Sequence, residues 1–237
     1  MAKSNGPIIE DGVIAGNLTD KYGTKNVLFR FMMGRFLRHV TELVRRTGAR
    51  DLHEVGCGEG LLSVTLSERV GHLAIRASDF SARVIEVARQ NARRAGRDIR
   101  FSPKSIYDLQ EEDAAELVVC CEVLEHLAEP RRALAVLSRL ARPWLVLSVP
   151  REPIWRALNV VRLKYLADWG NTPGHVQRWS KRGFLRLLRE HVDVVEVRCP
   201  TPWTIALCRS RAGRDRPDAP PPCRVEGERP EDSTGSA

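Results

Sequence analysis

Apolar positions along this chain fall into two alternating rhythms. From Val27 to Arg46, Leu28, Phe31, Met32, Phe36, Val40, Leu43 and Val44 recur at helical spacing, which predicts one amphipathic helix. After it, short apolar runs alternate with helical stretches. Strands are predicted near 51–55, 73–78, 98–102, 116–121 and 144–149, and helices near 61–69, 81–95 and 131–141. A last helix near 181–190, with Ser180 as its N-cap, leads into antiparallel strands near 192–199 and 203–209. Such alternation predicts an α/β chain built on a doubly wound, mostly parallel sheet.

Two stretches break the rhythm. The connection from Pro150 to Trp179 is longer than a strand-to-helix link needs, and long connections inside compact domains are usually functional. It carries Trp155, Tyr165 and Trp169 on one helical face, which reads either as a core-facing helix or as a lid forming an apolar substrate pocket. Beyond Arg209 the chain is rich in Arg, Pro and Asp with no apolar periodicity, so it lacks the burial that would repay ordering. The organisation expected is a flexible N-terminus at 1–16, one domain at 17–209 and a disordered tail at 210–237.

The 237 residues suit one ordinary domain with a full core. A net charge of +8 points toward polyanions, but the arginines are scattered over every helix, without interleaved aromatic stacking platforms. A solvated arginine-rich surface is the favoured reading and nucleic acid is disfavoured as a partner; an anionic substrate or peripheral contact with a membrane surface stays open. No apolar run reaches the length of a membrane span, and the N-terminus lacks a signal-peptide core, so a cytoplasmic protein is expected. The six cysteines form no C-x-x-C pair, and no metal is expected.

The chemistry concentrates in His53-Glu-Val-Gly-Cys-Gly-Glu-Gly60, on a predicted strand-to-helix turn where bare backbone lets a ligand approach closely. Asp79 follows Gly60 by nineteen residues, after the next apolar run, where a carboxylate can take both hydroxyls of a ribose. A dinucleotide fingerprint would read G-x-G-x-x-G, whereas the spacing is G-x-G-x-G and Leu61 stands where the third dinucleotide glycine would be. Glu54 and Glu59 also place carboxylates beside the turn. They suit an adenosyl ligand with a positive centre better than a pyrophosphate.

Together with Leu117-Val-Val-Cys-Cys-Glu-Val-Leu-Glu-His-Leu127 and Trp144-Leu-Val-Leu-Ser-Val-Pro150, these motifs make the chain resemble class I S-adenosylmethionine-dependent methyltransferases, in the small-molecule branch that includes ubiquinone-biosynthesis-type enzymes. The resemblance runs from about Asn17 to Cys208. It implies a Rossmann-like fold with a mostly parallel seven-stranded sheet and an N-terminal helical cover, and S-adenosyl-L-methionine as cofactor. Carried over residue by residue, it places Glu54, Gly56 and Gly58 at the methionine part, Asp79 at the ribose and Phe80 against the adenine, and counts Cys57 and Gly60 among the cofactor-binding residues. Ser105 and Ile106 fall where relatives often have an acidic residue reading the adenine amino group, with Asp108 as a local substitute. Cys121, Glu122, Val123 and His126 would line the sulfonium side, His126 as a structural or cofactor-proximal group rather than a base. Asp20-Lys-Tyr22-Gly resembles a segment that folds over the cofactor, although Tyr22 fits a helix-entry turn equally well.

The resemblance implies transfer of a methyl group to a small molecule, read here as an oxygen acceptor in specialised or lipid-related metabolism. The absence of an Asn/Asp-Pro-Pro-aromatic motif after the fourth strand argues against base methylation. An RNA or protein methyltransferase and a non-catalytic adenosyl-ligand-binding partner subunit are the alternatives. A carboxylate acceptor needs no base, whereas a phenol or alcohol benefits from one. His175, after the turn-forming Pro173-Gly174, is the candidate base, or else a hydrogen-bonding residue of the lid. Trp155, Tyr165, Trp169 and His175 are the candidate acceptor contacts.

Overall fold

The helix predicted from Val27 spans Val27–Thr47 (α1) in the computed structural model, which describes residues 27–152, 154 and 176–211 and the backbone of 8–10 and 13–15. Its buried stripe runs from Phe29 to Val44, and Gly48, at φ 66°, turns the chain after the last helical residue. Before it, Ile8–Glu10 (β1) and Val13–Ala15 (β2) pair as a short antiparallel hairpin, which the sequence pattern does not predict. Strand β3 (Asp51–Val55) then enters the sheet, followed by α2 (Leu61–Arg69), β4 (Ala74–Asp79), α3 (Ala82–Arg94), β5 (Arg100–Pro103) and β6 (Ala115–Cys121). Next come α4 (Pro130–Leu140), β7 (Ala141–Pro150), α5 (Lys181–His191), β8 (Val192–Arg198) and β9 (Trp203–Ser210).

The seven-stranded sheet has the order β5-β4-β3-β6-β7-β9-β8, parallel from β5 to β7, with β9 antiparallel to both β7 and β8. Helices cover both faces, so β6 reads as a near-continuous apolar run, whereas the neighbouring β3 buries the polar His53 and Glu54. In β6, Leu117 and Val119 join the core under α1 and α2, while Val118 and Cys120 join the core under α4 and α5. The strand order reverses between β3 and β6, and the carboxyl ends of these strands open the crevice where such sheets bind ligands.

Local signals fix the helix entries. Ser81 Oγ accepts from Val84 N–H at 3.2 Å to cap α3, and Ser180 Oγ accepts from Gly183 N–H at 3.2 Å to cap α5, as predicted. Both ends of the long connection are anchored: Glu152 N–H donates to Trp179 O at 3.0 Å, and Val176 and Gln177 N–H donate to Glu125 O at 2.8 and 3.0 Å.

Strand β9 continues through Ser210, past the boundary expected at Arg209. Ser210 is buried, and its hydroxyl donates to Ser138 O at 2.5 Å, while Arg211 Nη2 donates to Arg189 O at 2.7 Å. A chain truncated after Arg211 is therefore expected to keep its melting temperature. Truncation after Arg209 removes the five side-chain hydrogen bonds that Ser210 and Arg211 make to Ser138, Asp193, Glu190, Arg189 and Val192, each worth about 1 kcal/mol or less, and should lower it by several degrees. Equal melting curves for the two truncations would contradict this; the rest of the expected tail lies outside the described residues.

Candidate functional site

The carboxyl ends of β3, β4, β5 and β6 border a cleft of about 840 Å³, within the roughly 300–1,000 Å³ of small-molecule sites. Its floor is the turn after β3. Gly56 and Cys57 N–H donate to Ser78 O at 2.8 and 3.0 Å, which ties the turn to β4. Gly56, at φ 75°, is pressed against Val123 so that a Cβ would lie 2.4 Å from Cγ2. Only glycine lets the β3 turn and the β6 turn meet there.

Gly60 has a different task. At φ 72° it leaves room for Ala88 and Phe101, whose atoms would lie 2.9 Å from a Cβ, and it does not line the cleft. Cys57 is likewise buried away from the cleft, among Ala77, Ile85 and Phe101, and burial pushes its thiol well above the usual range. The sequence pattern groups both with the cofactor contacts; the structure makes them packing residues of the turn.

Asp79 ends β4 with its carboxylate fixed by backbone. Oδ2 accepts from Gly58 N–H at 2.9 Å and Oδ1 from Ser81 N–H at 3.1 Å. A carboxylate oxygen has two lone pairs and can accept more than one hydrogen bond, and Asp79 lines the cleft. Glu54, on β3, is almost fully buried and accepts from the Ser63 hydroxyl. Burial disfavours its charge and lifts its pKa to about 7, with the Ser63 hydrogen bond opposing the rise.

That shift has a signed consequence for stability. The folded-state pKa lies above the ordinary 4.5, so between these values the folded protein binds more protons at Glu54 than the unfolded chain does. The stabilisation is complete below about pH 4.5 and is lost as pH rises through about 7. Glu54→Gln removes the titration, so its melting temperature should gain on the wild type between pH 5 and pH 8 in the ligand-free protein. A constant difference across that range would contradict the assignment.

Glu122 follows β6 and adopts φ 61°, the one non-glycine residue with positive φ among the described residues. Such strain persists only where the surroundings hold it. Here Glu122 N–H donates to Ser148 O at 3.1 Å, Ser148 Oγ donates to Glu122 Oε1 at 3.0 Å, and Trp203 Nε1–H donates to Oε2 at 2.7 Å. Trp203 in turn packs on Phe36 of α1, with ring centroids 4.9 Å apart. Three elements remote in sequence thus clamp one carboxylate at the cleft wall.

Across the sheet, the cleft reads in order: Ser105 and Ile106 after β5, Asp79 ending β4 with Phe80 beyond it, Gly56 and Gly58 after β3, then Cys121 ending β6 with Glu122, Val123 and His126 beyond it. With strands about 4.8 Å apart, the ends of β4 and β6 are about 10 Å from each other. Ser105 caps the 3₁₀ turn Ile106–Asp108 through Tyr107 N–H at 3.3 Å, and Asp108 lines the same end of the cleft. Sequence reasoning missed Met33 and Phe36 on the inner face of α1, Lys104, Tyr107, Glu129 and Trp203. Periodicity marks Phe36 only as part of the apolar stripe of the helix and does not mark Met33. Trp203 reaches the cleft because β9 pairs antiparallel with β7, setting Pro150 opposite Trp203. Tyr22, Trp155, Tyr165, Trp169 and His175 lie outside the described residues.

Electrostatically the cleft opposes the protein's net charge. Among the described residues, Asp79, Asp108, Glu122 and Glu129 line it, with Glu54 drawn toward its neutral form by burial, against a single lysine, Lys104, whose Nζ is held by Asp113 at 2.6 Å. A polyphosphate would meet repulsion there, whereas a ligand with a cationic end and a diol finds acceptors.

Residues 53–144 match the family model of a methyltransferase domain. A ubiquinone biosynthesis O-methyltransferase of Xanthomonas axonopodis pv. citri (strain 306) is 35% identical over 136 residues, covering 55% of this chain and 56% of that protein. The chain thus spans little more than half of that relative's length. The magnesium protoporphyrin IX methyltransferase of Synechocystis PCC 6803, solved with bound S-adenosylhomocysteine, superposes with TM-score 0.62 at 19% identity, over 79% of this chain and 88% of that one. The N-methyltransferase NodS of Bradyrhizobium japonicum WM9 superposes with TM-score 0.57 at 20% identity, over 76% and 96% of the two chains.

Proposed function

We propose that this chain, which carries the methyltransferase domain of the class I S-adenosylmethionine-dependent superfamily on its Rossmann-like fold, methylates a small molecule at oxygen. The observation that carries the reading is the acidic cleft at the strand-order reversal, with Asp79 and Glu54 preset by backbone and hydroxyl donors. The cofactor is S-adenosyl-L-methionine, and the residues present fit it. The Gly56–Val123 contact leaves a shallow backbone floor, Asp79 offers acceptors for a diol, and the cleft has room for a second small molecule.

When bound, the cofactor supplies a methyl group already activated by a positive sulfur. The chain's task is then to hold the acceptor in line and exclude water. Asp79 takes the ribose hydroxyls, Phe80 offers its exposed ring to the adenine, and Ser105, Ile106 and Asp108 border the base. Glu54, Gly56 and Gly58 face the methionine part, and Cys121, Glu122, Val123 and His126 line the side toward the acceptor. Tyr22 is assigned to cover the cofactor. The acceptor is assigned to the apolar wall that Met33 and Phe36 form on the inner face of α1, with Trp155, Tyr165, Trp169 and His175 of the long connection assigned as its further contacts.

Oxygen as the receiving atom and a lipid-related or specialised acceptor are supported by the likeness to the Xanthomonas enzyme and by the apolar wall. The negative lining disfavours RNA as the occupant, despite the basic exterior. A screen with methyl-labelled cofactor across phenols, carboxylates, amines and total RNA tests the reading. Label is expected in a phenol or another small hydroxyl compound. Transfer to RNA alone, or to no acceptor while S-adenosylhomocysteine binds tightly, would contradict it.

A further inference from the structure

The outer face of α1 carries a second surface whose character is opposite to that of the cleft. Val27, Leu28 and Phe31 are 77%, 57% and 61% exposed, three large apolar side chains within little more than one helical turn. Val27 and Phe31, four apart, and Arg38, seven further on, form one stripe of the helix; Leu28 and Arg35, seven apart, form the stripe beside it. Arg35 stacks over the Phe31 ring at 5.9 Å, and Arg30 borders the face. From Val27 to Thr41 the sequence contains no Asp or Glu. Apolar tips ringed by cations, with no anion among them, make a face suited to an interface that is negative at its surface and apolar beneath it.

We infer that this face of α1 docks the protein onto an anionic lipid bilayer, with Val27, Leu28 and Phe31 entering the acyl boundary and Arg30, Arg35 and Arg38 at the headgroups. Among the described residues no helix is long and apolar enough to cross a membrane, so the helix lies on the surface rather than through it. RNA would use the arginines but leave Val27 and Leu28 in water, and among the described residues of this face Phe31 is the one exposed aromatic ring. The same helix walls the cleft on its opposite face through Met33 and Phe36. Docking would therefore hold the cleft beside the bilayer, where apolar acceptors of the kind proposed above concentrate; only that last clause rests on the proposed function.

The test is co-sedimentation of the full chain with vesicles of phosphatidylcholine alone and of phosphatidylcholine mixed with phosphatidylglycerol. Binding is expected only to the anionic vesicles, weakening as salt is added. Leu28→Asp/Phe31→Asp should lower the partition by at least tenfold, and Arg35→Gln/Arg38→Gln by about fivefold for each arginine. Neither variant touches the cleft lining, so affinity for S-adenosylhomocysteine and melting temperature should stay at wild-type values. Equal binding to both vesicle types, or anionic binding unchanged by both double variants, would overturn the inference. So would a homodimer that Leu28→Asp/Phe31→Asp dissociates without any vesicle binding by the wild type, or retention of total RNA in preference to the vesicles.

Discussion

Asp79→Ala is expected to weaken binding of S-adenosylhomocysteine by about 1.5–3 kcal/mol, roughly ten- to a hundredfold, the scale of a lost hydrogen-bonded charged acceptor. The carboxylate is nearly buried, and two backbone donors, Gly58 N–H and Ser81 N–H, hold its oxygens before any ligand arrives. A diol docking there pays little for ordering the side chain. Asp79→Asn keeps one acceptor oxygen but places an NH₂ against one of the two backbone N–H groups, so it should lose nearly as much. Because Ser81 still caps α3 through its own hydroxyl, the loss should appear in affinity more than in melting temperature. Calorimetry giving an unchanged Kd for both variants would remove Asp79 from the site.

His175→Ala is expected to lower kcat by about a hundredfold or more, the range for loss of a general base, while leaving cofactor affinity intact. The residue is bonded to Val176, whose N–H donates to Glu125 O at 2.8 Å and which itself lines the cleft. An unperturbed imidazole suits removal of a hydroxyl proton near neutrality. Raising the pH should partly rescue the variant on a phenol, since the solution then supplies the phenolate. Near-native turnover across the pH range would leave positioning alone as the source of catalysis.

Much of the architecture is legible in the sequence because its signals are local. Apolar runs mark β6 and β7, Ser180 marks a helix entry, and the glycine turn with delayed Asp79 marks the ligand end of the sheet. The parallel order around β3 and β6 agrees with what the resemblance implies. What is not legible depends on contacts between distant segments. Gly60 and Cys57 share the motif with Gly56 and Gly58, yet their surroundings are Ala88, Phe101 and Ala77, set by how α3 packs. The strained backbone of Glu122 has no sequence signal of its own; it follows from Ser148 on β7 and Trp203 on β9 converging on one carboxylate. Composition likewise conceals the sign of the cleft. A chain of net charge +8 lines its ligand site, among the described residues, mainly with carboxyl groups, while Arg30, Arg35 and Arg38 stand exposed on the outer face of α1.

The central claim is that this acidic cleft receives an adenosyl ligand with a cationic end. Isothermal titration of the full chain with S-adenosylhomocysteine, and in parallel with a nicotinamide dinucleotide and a nucleoside triphosphate, tests it most directly. The account predicts saturable one-to-one binding of S-adenosylhomocysteine and no measurable heat from either phosphate-bearing ligand. Binding of the dinucleotide or the triphosphate, with none of S-adenosylhomocysteine, would contradict it.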